Sequence, residues 1–168
     1  FMKHFYRVLR KGGSCIVFFD IWKLSYLKEM MEEEKFKQLR FIEWIKTNPQ
    51  PINSKYNYLT NCRETALSAV KVGGSTFNSK YDKAIYYNKA VYEFPLQGGK
   101  DRFHPTQKSL KLFRALIEKH SNEGDIVLDP FSGSGTTAVA CKNLGRRFVG
   151  SEISEDFFKK SINRIKKS

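Results

Sequence analysis

The residues best equipped for chemistry lie close together near the C-terminal end of the 168-residue chain. Asp129-Pro130-Phe131-Ser132-Gly133-Ser134-Gly135-Thr136-Thr137 follows the short apolar run Ile126-Val127-Leu128 and leads into Ala138-Val139-Ala140-Cys141. The order is that of a strand, a tight glycine turn and a helix start, which aims backbone N–H groups at a ligand. Glycine suits such a turn because a Cβ would obstruct both a positive φ and close ligand approach. A second short strand, Arg147-Phe148-Val149-Gly150, delivers Glu152, 23 residues beyond Asp129. A carboxylate at an offset of roughly 20 residues is the group that meets a ribose hydroxyl pair. Glycine turn and distal acid together point to a cofactor that contains adenosine.

Two cofactors compete for the turn. Gly133-Ser134-Gly135-Thr136-Thr137-Ala138 fits G-x-G-x-x-A, so a nicotinamide-dependent oxidoreductase is one reading. It would put the turn after the first strand of two mononucleotide-binding halves, whereas here the turn stands near the chain's end. The neighbours favour a different cofactor: Asp129-Pro130-Phe131 precedes the glycines, and His104-Pro105-Thr106-Gln107-Lys108 stands upstream. In the order and spacing of these blocks the chain resembles the S-adenosylmethionine-dependent DNA amino-methyltransferases. The likeness is to the permuted (beta-class) branch, whose cofactor loop follows the catalytic half. The resemblance implies that Asp129, Pro130, Phe131, Gly133, Gly135 and Thr136 form the cofactor loop and that Glu152 holds the ribose. It implies also that His104, Pro105, Thr106 and Lys108 approach the methionine end, and that Asn48, Pro49 and Pro51 border the pocket of a flipped base.

That family carries an Asp/Asn/Ser-Pro-Pro-aromatic motif before the strand read here at Cys15–Phe19, and no such tetrapeptide occurs in this sequence. Asn48-Pro49-Gln50-Pro51 lacks adjacent prolines and the aromatic. No catalytic residue is therefore assigned, and the expectation is an N-terminally truncated methyltransferase without its upstream catalytic strand.

Charge and cysteine usage narrow the partners. Thirty Lys and Arg against 17 Asp and Glu leave a formal charge of +13, which suits a polyanion such as double-stranded DNA. Cys15, Cys62 and Cys141 are widely spaced and odd in number. They form neither a disulfide framework nor a metal-ligand pattern, and no metal is expected. No apolar run approaches the ~18 residues of a membrane span and no signal peptide is evident, so the expected location is cytoplasmic. A restriction nuclease and the missing N-terminal part are candidate partners; the oligomeric state stays open.

The elements that must position these residues read as α/β. Phe1–Leu9 has helical spacing and is stopped by Lys11-Gly12-Gly13. Cys15–Phe19 is a continuous apolar run, as expected of a parallel strand covered on both faces. Asp20 follows it, as a ligand-edge acid or as the cap of the next helix. Trp22–Phe36 reads as that helix, and Phe41–Ile45 and Leu67–Val72 as an antiparallel edge pair. Between them lies a two-proline loop. In residues 73–102, Tyr81, Tyr86, Tyr87 and Tyr92 interleave with Lys80, Lys83 and Lys89, which suits phosphate contact and base stacking or simply a self-packed surface loop. A helix is expected from His104-Pro105-Thr106 with Leu110, Phe113 and Ile117 inward. Ser154 is expected to cap a last helix with Phe158, Ile162 and Ile165 inward and Lys159, Lys160, Arg164, Lys166 and Lys167 outward.

The expected architecture is thus one methyltransferase domain fragment over 1–168, with 73–102 a small recognition or linker segment. Its fold is doubly wound, a mostly parallel sheet with an antiparallel edge strand, the Rossmann-like methyltransferase fold that the resemblance implies. The function implied is methyl transfer to the exocyclic amino group of a flipped base, adenine N6 ahead of cytosine N4. A catalytically incomplete DNA-binding or assembly fragment is the alternative. Salt-sensitive DNA binding without S-adenosylmethionine binding would distinguish it.

Overall fold

Alternating helices and strands build two compact units, Phe1–Glu93 and Phe94–Ser168. The computed structural model describes residues 1–49, 59–78, 88–99 and 102–168. Pro51, Asn53, Lys55, Tyr56, Asn57, Tyr58, Lys80, Tyr81, Lys83, Tyr86 and Tyr87 lie outside the described residues.

The first unit holds helix α1 (Met2–Val8), strand β1 (Ser14–Phe19), a 3-10 turn (Ile21–Lys23), helix α2 (Leu24–Glu33), β2 (Lys37–Lys46), β3 (Arg63–Val70) and all but the last residue of β4 (Val91–Phe94). The sheet order is β1-β3-β2-β4. Strand β3 pairs antiparallel with β1, from Ser14↔Val70 to Phe19↔Thr65, and antiparallel with β2, from Lys37↔Val70 to Ile45↔Arg63. Being paired on both edges, β3 is also the most buried strand, and Thr65 to Ala69 are all inside. Its hydroxyls are satisfied within the sheet, Thr65 Oγ1 donating to Phe19 O at 2.9 Å and Ser68 Oγ to Arg40 O at 3.4 Å, as buried polar groups require. One sheet face packs Leu67, Ala69, Cys15 and Val17 against Met2, Leu27, Met31 and Phe36. Lys71 closes α1, its Nζ donating to Tyr6 O at 2.7 Å and Leu9 O at 2.8 Å.

The second unit holds helix α3 (Leu110–His120), β5 (Ile126–Asp129), α4 (Thr136–Asn143), β6 (Arg147–Gly150) and α5 (Glu155–Lys167). Strands β5 and β6 pair in parallel, from Ile126↔Arg147 to Asp129↔Gly150. Ile117, Ala140 and Cys141 form the core, with Leu110, Phe113, Val127, Leu144 and Phe148 packed around it. Alternation along the strands sends Val127 and Phe148 into that core and leaves Ile126, Leu128 and Val149 exposed, as a period of two demands. Arg146 ties β6 to the end of α3, its Nε donating to Ser121 Oγ at 3.1 Å and Nη2 to Ser121 O at 2.8 Å. Among the described residues no helix is long and apolar enough to cross a membrane.

The α/β alternation, the antiparallel pairing of β2 with β3, the boundaries of β5 and β6, and Asp20 as a cap, accepting from Trp22 N at 3.0 Å, agree with the sequence reading. Four details differ. The apolar run of β1 pairs antiparallel with β3, because the intervening segment returns the chain beside it. Strand β3 lies between β1 and β2 instead of on an edge of the sheet. Helix α3 starts only after Ser109, since the turn from His104 to Gln107 closes on itself with Gln107 N donating to His104 O at 3.2 Å. On α5, Phe158 is exposed while Phe157 packs on His104, and Arg164 turns inward.

Candidate cofactor site

The site is built where β5 ends. Asp129 closes the strand, and its carboxylate holds both sides of the following turn. Oδ1 accepts from Phe131 N at 3.1 Å and Oδ2 from the Thr137 hydroxyl in the first turn of α4. Gly133 and Gly135 take left-handed φ values of 51° and 72°, a region that a side chain makes costly. Gly135 is also the residue before α4, so no side chain caps that helix. As at any helix start, the first amides of α4 have no acceptor within the helix. The turn is tied to the segment after β6, with Ser132 N donating to Ser151 O at 2.9 Å and Ser151 Oγ to Pro130 O at 2.8 Å.

Glu152 stands at the meeting point of these segments. Its Oε2 accepts from Gly133 N at 2.7 Å and its Oε1 from Ser154 N at 2.9 Å. The carboxylate thus holds the turn by one oxygen and the entry to α5 by the other. A carboxylate offers about four acceptor directions, so two remain beyond these bonds. Ile153, fully exposed beside it, and Phe131, 66 % exposed across the turn, give the mouth an apolar margin. Phe131 is therefore no core filler.

The second block reaches the same turn. A Cβ placed on Gly133 would lie 3.4 Å from His104 Nε2, so the imidazole lies against that glycine. On its other side the ring meets Phe157 of α5, with centroids 4.3 Å apart. His104 Nδ1 accepts from Thr106 N at 3.3 Å. Gln107, buried, holds the turn by accepting from Phe103 N at 3.3 Å. Arg102 Nη2 donates to Pro105 O at 3.0 Å. Lys108 O lies 3.5 Å from Thr136 Oγ1, closing the block onto the start of α4.

His104, Thr106 and Lys108, Asp129 to Thr136, and Glu152 are thus brought together within the second unit. Asn48 and Pro49 follow β2 in the first unit. Sequence reasoning missed Ser134, Phe157 and Arg164. The spacing of α5 carried the signal, because Ser161, Arg164 and Ile165 recur at helical intervals on one face. Among the described residues no group of three or more His, Cys, Asp or Glu is arranged to hold a metal ion.

A glycine turn leaving the carboxyl end of a parallel strand, a helix start behind it and a glutamate after the next strand define a Rossmann-like nucleoside-binding fold of the methyltransferase type. The DNA methylase family (N6_N4_Mtase) matches residues 1–163, and the chain belongs to it. It is 33% identical over 170 residues to the type II methyltransferase M2.DpnII of Streptococcus pneumoniae, covering 94% of this chain and 62% of that protein. It is also 33% identical to M2.LlaDCHI of Lactococcus lactis subsp. cremoris, over 95% of this chain and 62% of that protein. The chain therefore spans less than two thirds of the length of these curated relatives. Among solved structures it is similar to the M1.HpyAVI–SAM complex, with a TM-score of 0.85 and 32% identity, over 98% of this chain and 80% of that one.

Proposed function

We propose that this chain is the cofactor-binding portion of a DNA methyltransferase that modifies the exocyclic amino group of a flipped base, adenine N6 ahead of cytosine N4. One observation carries the reading: His104, the glycine turn and Glu152 converge, with Gly133 both 2.7 Å from the Glu152 carboxylate and against the His104 ring. Family membership across residues 1–163, through both units, supports treating 1–168 as one methyltransferase domain.

The residues present fit S-adenosylmethionine. The turn carries glycines at the left-handed positions 133 and 135, and Glu152 retains acceptor capacity for two ribose hydroxyls. The cofactor supplies an activated methyl on a sulfonium. Asp129 and Thr137 hold the turn in shape, Glu152 takes the ribose, and Thr106 and Lys108 border the amino-acid end. Positioning and electrostatics supply most of the acceleration in such a transfer. The amino nitrogen of a base is a poor nucleophile, and its hydrogens need acceptors that this chain's assigned residues do not include. Because that nitrogen lies inside a duplex, the base must leave the stack. Asn48, Pro49 and Pro51 are proposed to border its pocket, and residues 73–102 to contribute to recognition. A charge of +13 favours the polyanion, and DNA as substrate makes the cytoplasm the working compartment. A restriction nuclease is the proposed companion, by analogy with the type II relatives.

The lack of an Asp/Asn/Ser-Pro-Pro-aromatic tetrapeptide in this sequence favours one second reading, a DNA-binding or assembly fragment. Incubating the full-length protein with tritiated S-adenosylmethionine and DNA, then separating modified nucleosides, decides the matter. Label in N6-methyladenine is expected. Label in N4-methylcytosine would reassign the base, and no label in DNA, or label in RNA alone, would overturn the reading.

A further inference from the structure

We infer that Arg164 is a positioning residue that locks the glycine turn to the His104–Lys108 block and thereby shapes the seat for the amino-acid end of the cofactor. The inference rests on the reading of that turn as an S-adenosylmethionine site. A single nitrogen carries the contact: Arg164 Nη1 lies 3.0 Å from Ser134 O, 3.3 Å from Ser134 Oγ and 2.9 Å from Thr136 Oγ1. Ser134 and Thr136 are each only 4% exposed, so water does not replace a bond lost there.

The network has a direction. Thr136 Oγ1 accepts from the guanidinium, which turns its own proton toward Lys108 O, 3.5 Å away. Ser134 Oγ, 3.1 Å from Thr136 Oγ1, completes the link. Helix α5, the glycine turn, the start of α4 and the second block are thus joined through one side chain. The close approach this requires explains Gly135, where a Cβ would sit 3.1 Å from Ser161 Cβ, one helical turn before Arg164.

Electrostatics gives the network a ligand preference. Arg164 belongs to the last turn of α5, where a cation is favoured, but its nitrogen meets the first turn of α4, where the helix dipole is already positive. Two positive contributions at one spot raise the attraction for an anionic group. Of the parts of S-adenosylmethionine, only the amino-acid end carries a carboxylate. Arg164 therefore acts on that end rather than on the adenosine.

Calorimetric titration of the full-length protein with S-adenosylmethionine and with 5′-methylthioadenosine, which lacks the amino-acid end, tests this. Arg164→Met is expected to weaken S-adenosylmethionine about tenfold, as the turn loses its tie to the Lys108 block, and methylthioadenosine by less than about twofold. Arg164→Lys, with a shorter reach but a retained charge, should recover part of the loss. If Arg164→Met does not fold, Thr136→Val removes the acceptor with little change of shape and should show the same selective loss. Equal losses for both ligands would reduce Arg164 to a general stabiliser and overturn the inference, as would no loss at all. Failure of the unsubstituted protein to bind S-adenosylmethionine would instead overturn the cofactor reading, and this inference with it.

Discussion

Replacing Glu152 by glutamine removes a charge while keeping the shape of the side chain. The carboxylate accepts two backbone N–H groups, from Gly133 at 2.7 Å and Ser154 at 2.9 Å. A carboxamide has one oxygen and one NH2, so in either orientation its donor faces one of those N–H groups. Orienting the oxygen toward buried Gly133 is the less costly choice, because Ser154 is only half-buried and water can partly replace its acceptor. That internal loss falls on the stability of the turn; toward the ribose a neutral acceptor replaces a charged one, which costs about 1–1.5 kcal/mol, or roughly five- to tenfold in affinity. Glu152→Ala removes both bonds and should weaken cofactor binding at least as much. The assay is calorimetric titration with S-adenosylmethionine beside urea unfolding of each variant. Glu155→Gln is the control, since that acid pairs with Lys159 at the surface, with its side chain 80% exposed. An affinity unchanged by Glu152→Gln, in a protein of unchanged stability, would make Glu152 a bystander and refute the reasoning.

Gly135→Ala combines a left-handed backbone with a Cβ only 3.1 Å from Ser161 Cβ; a stability loss of about 1–3 kcal/mol is expected by urea unfolding, and no loss would contradict the packing of α5 described above. Burial, helped by the adjacent Lys119, pushes the His120 imidazole down to about 4. The unfolded chain therefore binds the extra proton between about pH 6.5 and 4, so this contribution is complete above 6.5 and lost as the pH falls, by up to about 2–3 kcal/mol. His120→Gln should flatten the pH dependence of unfolding in that window, and an unchanged slope would refute the assignment.

The parts of the fold that could be read from sequence are those whose signals are local. Strand β6 and the caps of α5 follow from a short apolar run and from Ser154 with Glu155 and Asp156. That the blocks at His104–Lys108, Asp129–Thr136 and Glu152 would meet was legible because each is contiguous and their order is distinctive. The errors share a cause, which is that partners distant in sequence decided the outcome. The apolar run of β1 is compatible with either strand direction, and only β3, arriving much later, makes it antiparallel. Pro105 suits a helix start, yet His104, Thr106 and Gln107 satisfy one another in a turn and delay α3 to Leu110. Arg164 was grouped with its lysine neighbours by charge. Its register with Ser161 and Ile165 instead directs it to the buried hydroxyls of Ser134 and Thr136.

The position of β3 between β1 and β2 imposes a schedule on the growing polypeptide. Strands β2 and β3 are successive and can zip together as soon as both are made. Strand β1, synthesised earlier, must wait for a mate whose Thr65 is 46 residues beyond Phe19. Closing the longer loop costs more chain entropy than closing the β2–β3 connection, and until it closes the Cys15–Phe19 run is an exposed apolar segment open to chaperones or other nascent chains. Pulse-labelling hydrogen exchange during refolding should find β2 and β3 amides protected before those of β1; the reverse order would mean that this strand is held by something other than its sheet neighbour.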